Sequence, residues 1–104
     1  MRAKNEITVD RLEFKGAVRW TSRGRRAAAE ETLLYWTDSG FVVEAPLART
    51  TIKSAGTWAG SVAVNAMLLK KLVPKLPRTR ELTLIYVAGQ LALGTVRISA
   101  REAR

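Results

Sequence analysis

Apolar and polar residues alternate in several segments of this chain, and two short turn sequences each join a pair of such segments. A two-residue period broken by glycine-containing turns is typical of β-hairpins. Since the strands of a hairpin pair antiparallel, the pattern predicts an antiparallel sheet. The hairpins comprise residues 33–37 and 41–47 around Asp38-Ser39-Gly40, and residues 82–87 and 91–98 around Ala88-Gly89-Gln90.

Three further segments have the period of β-strands. Residues 7–20 follow a period near two, with a change of phase after Val9 that indicates a bulge or a register change. Residues 50–53 and 58–64 are shorter segments of the same kind. Pro46 lacks a backbone donor and predicts a sheet edge, a bulge or a strand end at its position.

One segment has the pattern of a short amphipathic helix. Asn65 belongs to the residue types that cap helix N-termini, and residues 66–73 follow it directly. Pro74 and Pro77 close the helix, because proline lacks an N–H and disfavours helical geometry in the preceding residue. At about 100° per residue the apolar side chains fall on one face, and we expect its leucines to be buried against the sheet. The face consists of Leu68, Leu69, Leu72 and Val73.

The predicted fold class is α+β, with an antiparallel β-sheet of about six to seven strands and one short amphipathic helix. Residues 21–31 leave two interpretations open. Arg23-Gly24-Arg25-Arg26 favours a flexible loop, whereas Ala27-Ala28-Ala29-Glu30-Glu31 has high helix propensity. The 104 residues contain no linker, low-complexity tract or tandem repeat. We therefore expect a single domain over residues 1–104.

Cysteine and histidine are both absent from the sequence. The missing cysteine excludes disulfides, thiol nucleophiles, iron–sulfur clusters and thiolate zinc sites. The missing histidine removes the commonest general base and transition-metal ligand. Since no carboxylate pair or complete phosphate loop stands out either, we expect neither enzymatic activity, nor a catalytic residue, a cofactor or a metal.

The first residues carry positive charge, but no apolar region of a secretory signal follows them. Apolar runs elsewhere in the sequence are too short to span a bilayer. Without a disulfide framework, a reducing compartment is the natural setting. We expect a cytoplasmic protein with no membrane partner.

Charge is distributed unevenly along the chain. The formal net charge is +9, from 18 Lys and Arg against 9 Asp and Glu. No acidic residue occurs between Glu13 and Glu30, or between Glu44 and Glu81. Blocks of one sign raise the local positive potential and attract polyanions. The candidate nucleic-acid-binding residues inside these two intervals are Arg23, Arg25, Arg26, Lys70, Lys71, Lys75, Arg78 and Arg80.

These basic residues also have a purely structural explanation. An amphipathic helix must present polar side chains to water, and lysine is a favoured choice, which accounts for Lys70 and Lys71. The Arg23-Gly24-Arg25-Arg26 sequence fits a solvated loop. For the helix, the absence of Asp and Glu on the same face favours binding, because a surface that serves only solubility has mixed charges.

Tryptophan and tyrosine side chains can stack on the bases of single-stranded nucleic acid. Most of them lie within strand patterns, where packing in the core is the favoured interpretation. Trp20 is the exception, since Arg19 and Arg23 flank it. The others are Tyr35, Trp36, Trp58 and Tyr86.

Residues 60–73, Gly-Ser-Val-Ala-Val-Asn-Ala-Met-Leu-Leu-Lys-Lys-Leu-Val, are followed by Glu81-Leu82-Thr83-Leu84-Ile85. This segment resembles one in DNA polymerase sliding clamps, where an extended stretch leads into a short amphipathic helix and then a hairpin. The turn of that hairpin resembles Val87-Ala88-Gly89-Gln90-Leu91. The resemblance implies a clamp-like half domain. In that family such helices line a central hole and present Lys or Arg to duplex DNA, and the matching residues are Lys70, Lys71 and Lys75.

The sequence also departs from the clamp pattern. A clamp domain contains two such helices, and the first would fall in residues 21–31, where the Arg-Gly-Arg-Arg sequence stands. A clamp subunit joins two or three domains, so encirclement by a chain of this length would require several copies.

Two functions of different classes fit these observations. The first is a basic, clamp-like nucleic-acid-binding module that contacts the phosphate backbone without strong sequence readout, with duplex DNA as its favoured partner. The second is a protein–protein interaction or structural module that uses a sheet edge, and an acidic protein fits the same charges. Since an antiparallel sheet in a small domain leaves two edges, we expect a homo-oligomer.

Overall fold

Ten strands form two five-stranded antiparallel sheets in this computed structural model, which describes residues 5–21, 30–46 and 48–103. Sheet A has the strand order β5-β1-β7-β8-β9, and sheet B has the order β10-β6-β2-β3-β4. In chain order the elements are β1 Asn5–Asp10, α1 Arg11–Thr21, β2 Glu31–Thr37, β3 Gly40–Ala45, β4 Ala48–Ile52, β5 Ser54–Thr57, β6 Ser61–Asn65, α2 Ala66–Leu72, β7 Glu81–Val87, β8 Gln90–Leu93, β9 Val96–Ser99 and β10 Arg101–Ala103.

The two halves of the chain have the same order of elements, a strand, a helix and four strands. Each sheet combines two strands of one half with three of the other, so exchanging the halves converts sheet A into sheet B. A main-chain hydrogen bond at the first residue of each helix repeats as well. The N–H of Arg11 donates to the carbonyl of Arg80 at 3.0 Å, and the N–H of Ala66 donates to the carbonyl of Glu30 at 3.0 Å. The structure therefore contains an internal repeat that the sequence does not display.

Both hairpins that the turn sequences predicted are present. Strands β2 and β3 meet at the pair Thr37 and Gly40, and strands β7 and β8 meet at the pair Val87 and Gln90. The predicted α+β class and the antiparallel pairing are confirmed. More strands form than the sequence predicted, because residues 91–98 divide into two strands at a turn around Gly94, and because residues 54–57 and 101–103 form strands that no pattern indicated.

The prediction of an extended segment over residues 7–20 is wrong beyond Asp10. Helix α1 begins at Arg11, and the carboxylate of Asp10 accepts a hydrogen bond from the N–H of Glu13 at 2.9 Å. An aspartate followed three residues later by a glutamate is itself a helix-start signal. The buried residues then recur at helical spacing, whereas Leu12, which supported the strand interpretation, is exposed. The buried residues of α1 are Phe14, Ala17, Val18 and Thr21.

Helix α2 begins where the sequence predicted it. The side chain of Asn65 accepts a hydrogen bond from the N–H of Leu68 at 3.0 Å and so caps the helix. The chain does not leave helical geometry at Pro74, because a single 3-10 turn, Val73–Lys75, continues from α2. Leu69 is buried and Leu72 packs against the core. The prediction for Leu68 is wrong, since 46% of its surface is exposed.

Buried side chains from both sheets and both helices form one hydrophobic cluster. Trp58 joins it between β5 and β6, with its ring edge-on to Phe41 at a centroid distance of 5.2 Å. Its indole N–H donates to the carbonyl of Leu34 at 3.2 Å, so the polar end of the side chain is satisfied inside the core. The helices thus bury one face each in a common core and leave the opposite faces to solvent.

Candidate nucleic-acid interface

Two of the candidate lysines lie on the exposed side of helix α2. Leu69 and Val73 point into the core, which places Lys70 and Lys71 in the last turn of the helix with their side chains exposed. Positive charge at a helix C-terminus also interacts favourably with the helix dipole, so these lysines stabilise the helix as well. Lys75 is exposed in the 3-10 turn that follows.

The basic residues after α2 are tied to the start of α1. Arg78 and Arg80 are exposed in the segment that leads to β7. This segment is fixed at Thr79, whose carbonyl accepts a hydrogen bond from Nε of Arg11 at 2.6 Å, in addition to the Arg11–Arg80 main-chain bond. Arg11 therefore holds the segment that carries Arg78 and Arg80, although no sequence pattern selected it. The surroundings of Arg80 are mixed in charge, because it shares a shallow depression of about 220 Å³ with Asp10, Lys53 and Glu81.

Helices α1 and α2 contact each other, and each has an exposed face. Lys15 and Arg19 of α1 come from one acid-free interval of the sequence, and Lys70 and Lys71 of α2 come from the other. We call the surface formed by these four residues the helix surface. Lys15 and Arg19 were not predicted as candidates, because the strand pattern covered them. The structure thus brings the two basic intervals together.

Two acidic residues outside the helices have close partners on the outer face of sheet B. Arg101 forms a bidentate pair with Glu31, at 2.5 and 3.0 Å, and its hydrogen bonds lower the pKa of the Glu31 carboxyl. The hydroxyl of Tyr35 donates to Glu44, which raises the pKa of the Tyr35 phenol. Arg49 lies opposite Glu44 and bonds to the same tyrosine. These two acidic charges are therefore held on the sheet, away from the helices.

The structure divides the aromatic residues into buried and exposed ones. Trp58 is buried and Tyr86 packs against the core, as their strand patterns predicted. Trp20 is 54% exposed in the last turn of α1, which agrees with the prediction that it is the exception among the aromatic residues. Trp36 does not follow the prediction of core packing, since it is 46% exposed at the end of β2.

Three candidate residues, Arg23, Arg25 and Arg26, lie outside the described residues, as does most of the segment between α1 and β2. The family pattern placed the first helix in this segment. That expectation is corrected by α1, which lies ten residues earlier and ends at Thr21. Within the described ranges, no helix is long and apolar enough to cross a membrane. Nor do these ranges hold a group of three side chains suited to bind a metal ion.

Comparison with solved structures identifies the fold. The sliding clamp (DNA polymerase III subunit beta) of Pseudomonas aeruginosa, bound to griselimycin, matches 97% of this chain and 31% of its own with a TM-score of 0.68 and 14% identity. The griselimycin-bound sliding clamp of Bartonella birtlesii matches 96% of this chain and 30% of its own with a TM-score of 0.67 and 22% identity. No protein-family model and no curated protein matches the sequence. The chain therefore has a sliding-clamp-like fold, with both helix-containing halves, and spans under a third of the length of these clamps.

Proposed function

We propose that this chain is a clamp-type module that binds the phosphate backbone of nucleic acid without strong sequence readout. Duplex DNA is the favoured partner, and the module works by binding and not by catalysis, in the cytoplasm. The helix surface, together with Lys75, Arg78 and Arg80, carries the contacts. The observation behind the proposal is that basic residues from two separate acid-free intervals lie on two helices in contact.

The distribution of charge supports a polyanion as the partner. Glu31 and Glu44, which reduce the net charge, are held by Arg101, Tyr35 and Arg49 on sheet B. Glu13 is the acidic residue of α1, and α2 has none. A surface with one sign of charge concentrates polyanions and accelerates their association. The lysines bind phosphates as point charges and contribute little to base recognition.

The likeness in fold supports the same partner class. The two matching structures are sliding clamps and subunits of a DNA polymerase. A fold carries no function by itself, so the assignment depends on the charged residues of this chain.

Neutralising the α2 lysines tests this function. The Lys70→Gln, Lys71→Gln double variant is expected to bind a labelled DNA duplex more weakly than the parent does, whatever the base sequence of the duplex. The slope of log K against log salt should become less steep by about 1 for each phosphate that the variant no longer neutralises. Fluorescence anisotropy over a salt series measures both quantities. The parent is expected to bind with a micromolar dissociation constant near physiological salt.

A charge-matched control separates a defined surface from net charge. Arg49 and Arg97 are exposed and project from the outer faces of the two sheets. The Arg49→Gln, Arg97→Gln variant loses the same charge and is expected to retain the affinity of the parent. Equal losses in the two double variants would show that only net charge matters. Failure of the parent to retain duplex DNA at low salt would refute the proposed function in favour of an acidic protein partner.

The sheet edges support a homo-oligomer, most simply a two-fold dimer. Strands β4, β5, β9 and β10 lie at the ends of the two sheets. A strand at an edge presents unpaired N–H and C=O groups that pair readily with a second chain. Pro46 lies in the turn before β4 and removes one donor next to that edge. Continuation of a sheet across two copies satisfies the remaining groups.

Added salt is expected to strengthen self-association, whereas it weakens DNA binding. Each copy carries a formal charge of +9, so copies repel one another, and added salt screens that repulsion. Sedimentation velocity at increasing ionic strength should show the oligomer fraction rising. A monomer at high micromolar concentration across the whole series would contradict the assembly.

A further inference from the structure

Helix α1 carries a row of exposed residues on the side away from the core. Leu12, Gly16 and Trp20 are spaced four residues apart and therefore lie along one face of the helix. Leu12 is 64% exposed and Trp20 is 54% exposed. A Cβ atom on Gly16 would meet no described atom within 4 Å. Two large apolar side chains thus stand on either side of a position without a side chain, about 12 Å apart along the helix axis, and we call this position the Gly16 gap.

Leu12, Gly16 and Trp20 are not part of the buried face of α1. The core side of α1 is formed by Phe14, Ala17 and Val18, on the opposite face. Glycine inside a helix costs about 1 kcal/mol relative to alanine, and among the described residues no atom comes close enough to Gly16 to exclude a Cβ. Tryptophan is mostly buried in folded proteins. A binding surface accounts for an exposed indole beside a position without a side chain.

Basic residues lie next to the Gly16 gap in the sequence and across the contact between the helices, and Glu13 is the acidic residue of α1. Lys15 precedes Gly16 in the sequence, and Arg19 precedes Trp20. Across the contact between the helices lie Lys70 and Lys71. A ligand that fits has a flat apolar group for the indole and negative charge for the surrounding cations. An unpaired nucleotide combines both, because aromatic side chains stack on bases while basic side chains follow the backbone.

We propose that Trp20 and the Gly16 gap bind an unpaired base of single-stranded nucleic acid, which adds a stacking contact to the phosphate contacts of the helix surface wherever the bound strand has an exposed base. This inference rests on the proposed function, since the same lysines and arginine hold the phosphates. It adds a contact that a continuous duplex does not offer, because stacked and paired bases are closed to the indole. Every base has a π-face, so the contact is tolerant of sequence.

The test compares two single strands that have the same number of phosphates. One carries normal bases, and the other carries abasic sites in their place. Fluorescence anisotropy with the full chain should show the strand with bases binding roughly 5- to 150-fold more tightly, the range that one stacked base contributes. The Trp20→Leu variant keeps an apolar side chain but loses the ring, and it should bind both strands with the affinity that the parent has for the abasic strand.

Two further variants serve as controls, one for loss of the fold and one for loss of an exposed indole elsewhere. Gly16→Leu fills the Gly16 gap and improves helix propensity, so it should lose the preference for bases while its melting temperature is unchanged or higher. Trp36→Leu removes another exposed indole, at the end of β2, and should keep the preference.

The ways in which the inference can fail are distinguishable. If the parent binds both strands equally and the Lys70→Gln, Lys71→Gln variant still weakens both, the stacking inference is wrong and the proposed function stands. If Trp20→Leu and Trp36→Leu reduce the preference equally, the Gly16 gap is not the site. If the parent binds neither strand nor duplex, the proposed function fails together with the inference.

Discussion

Replacing Phe14 by alanine is expected to lower the free energy of unfolding by about 3–5 kcal/mol. Phe14 is fully buried in the core, on the inner face of α1. The truncation removes an aromatic ring from a cluster to which both sheets contribute, and the surrounding strands cannot close the space without breaking their register. Urea denaturation followed by circular dichroism measures the change.

Leu12 provides the control within the same helix. Its side chain is largely exposed, so Leu12→Ala should change stability by no more than about 0.5 kcal/mol. The pair of variants also tests the helix itself, because residues 12 and 14 would lie on the same side of a β-strand. Similar losses in both variants would contradict the helical assignment of residues 11–21.

Replacing Gly40 by alanine is expected to lower the free energy of unfolding by about 2–6 kcal/mol. Gly40 begins β3 with a φ of 137°, a conformation that side chains with a Cβ disfavour by about 1–3 kcal/mol. A Cβ there would also press on the carbonyl oxygen of Ile52 in β4, and such overpacking adds about 1–3 kcal/mol. Thermal unfolding should report a much lower melting temperature.

The same substitution at Gly16 should raise the free energy of unfolding. Gly16 lies inside α1, and a Cβ there would meet no described atom, so Gly16→Ala is expected to stabilise the protein by about 1 kcal/mol. A stable Gly40→Ala variant would show that β3 and β4 are not held in the register described, with Phe41 opposite Ile52.

Local signals made much of the fold predictable. Asn65 followed by an apolar face, and the turns at residues 38–40 and 88–90, each determine structure within a few neighbouring residues. Helix α1 was missed because Leu12, Phe14 and Val18 satisfy a period of two as well as they do a helix. Whether the segment is a strand or a helix depends on which of these residues is buried. That is determined by contacts with β3 and β4, more than twenty residues away in the sequence.

The candidate site was predictable in its charges but not in its geometry. The interval between Glu44 and Glu81 identified Lys70 and Lys71 directly. No sequence pattern indicated that they lie beside Lys15 and Arg19, because that arrangement requires α1 to be a helix and to contact α2. The internal repeat was hidden for a related reason. Equivalent positions such as Phe14 and Leu69 share only apolar character, since a core selects volume and hydrophobicity more than identity.

The exchange of strands between the two halves has a consequence for how the chain folds. Strand β1 lies between β5 and β7. Its pairing with β7 places Asn5 opposite Tyr86, about eighty residues further along the chain. During synthesis β1 leaves the ribosome about seventy residues before β7, and over that interval it lacks its second neighbour. Neither half can complete a sheet alone. Contacts this distant in sequence slow folding, and the emerging first half exposes apolar strands until the second arrives, which is the interval in which a chaperone is needed most.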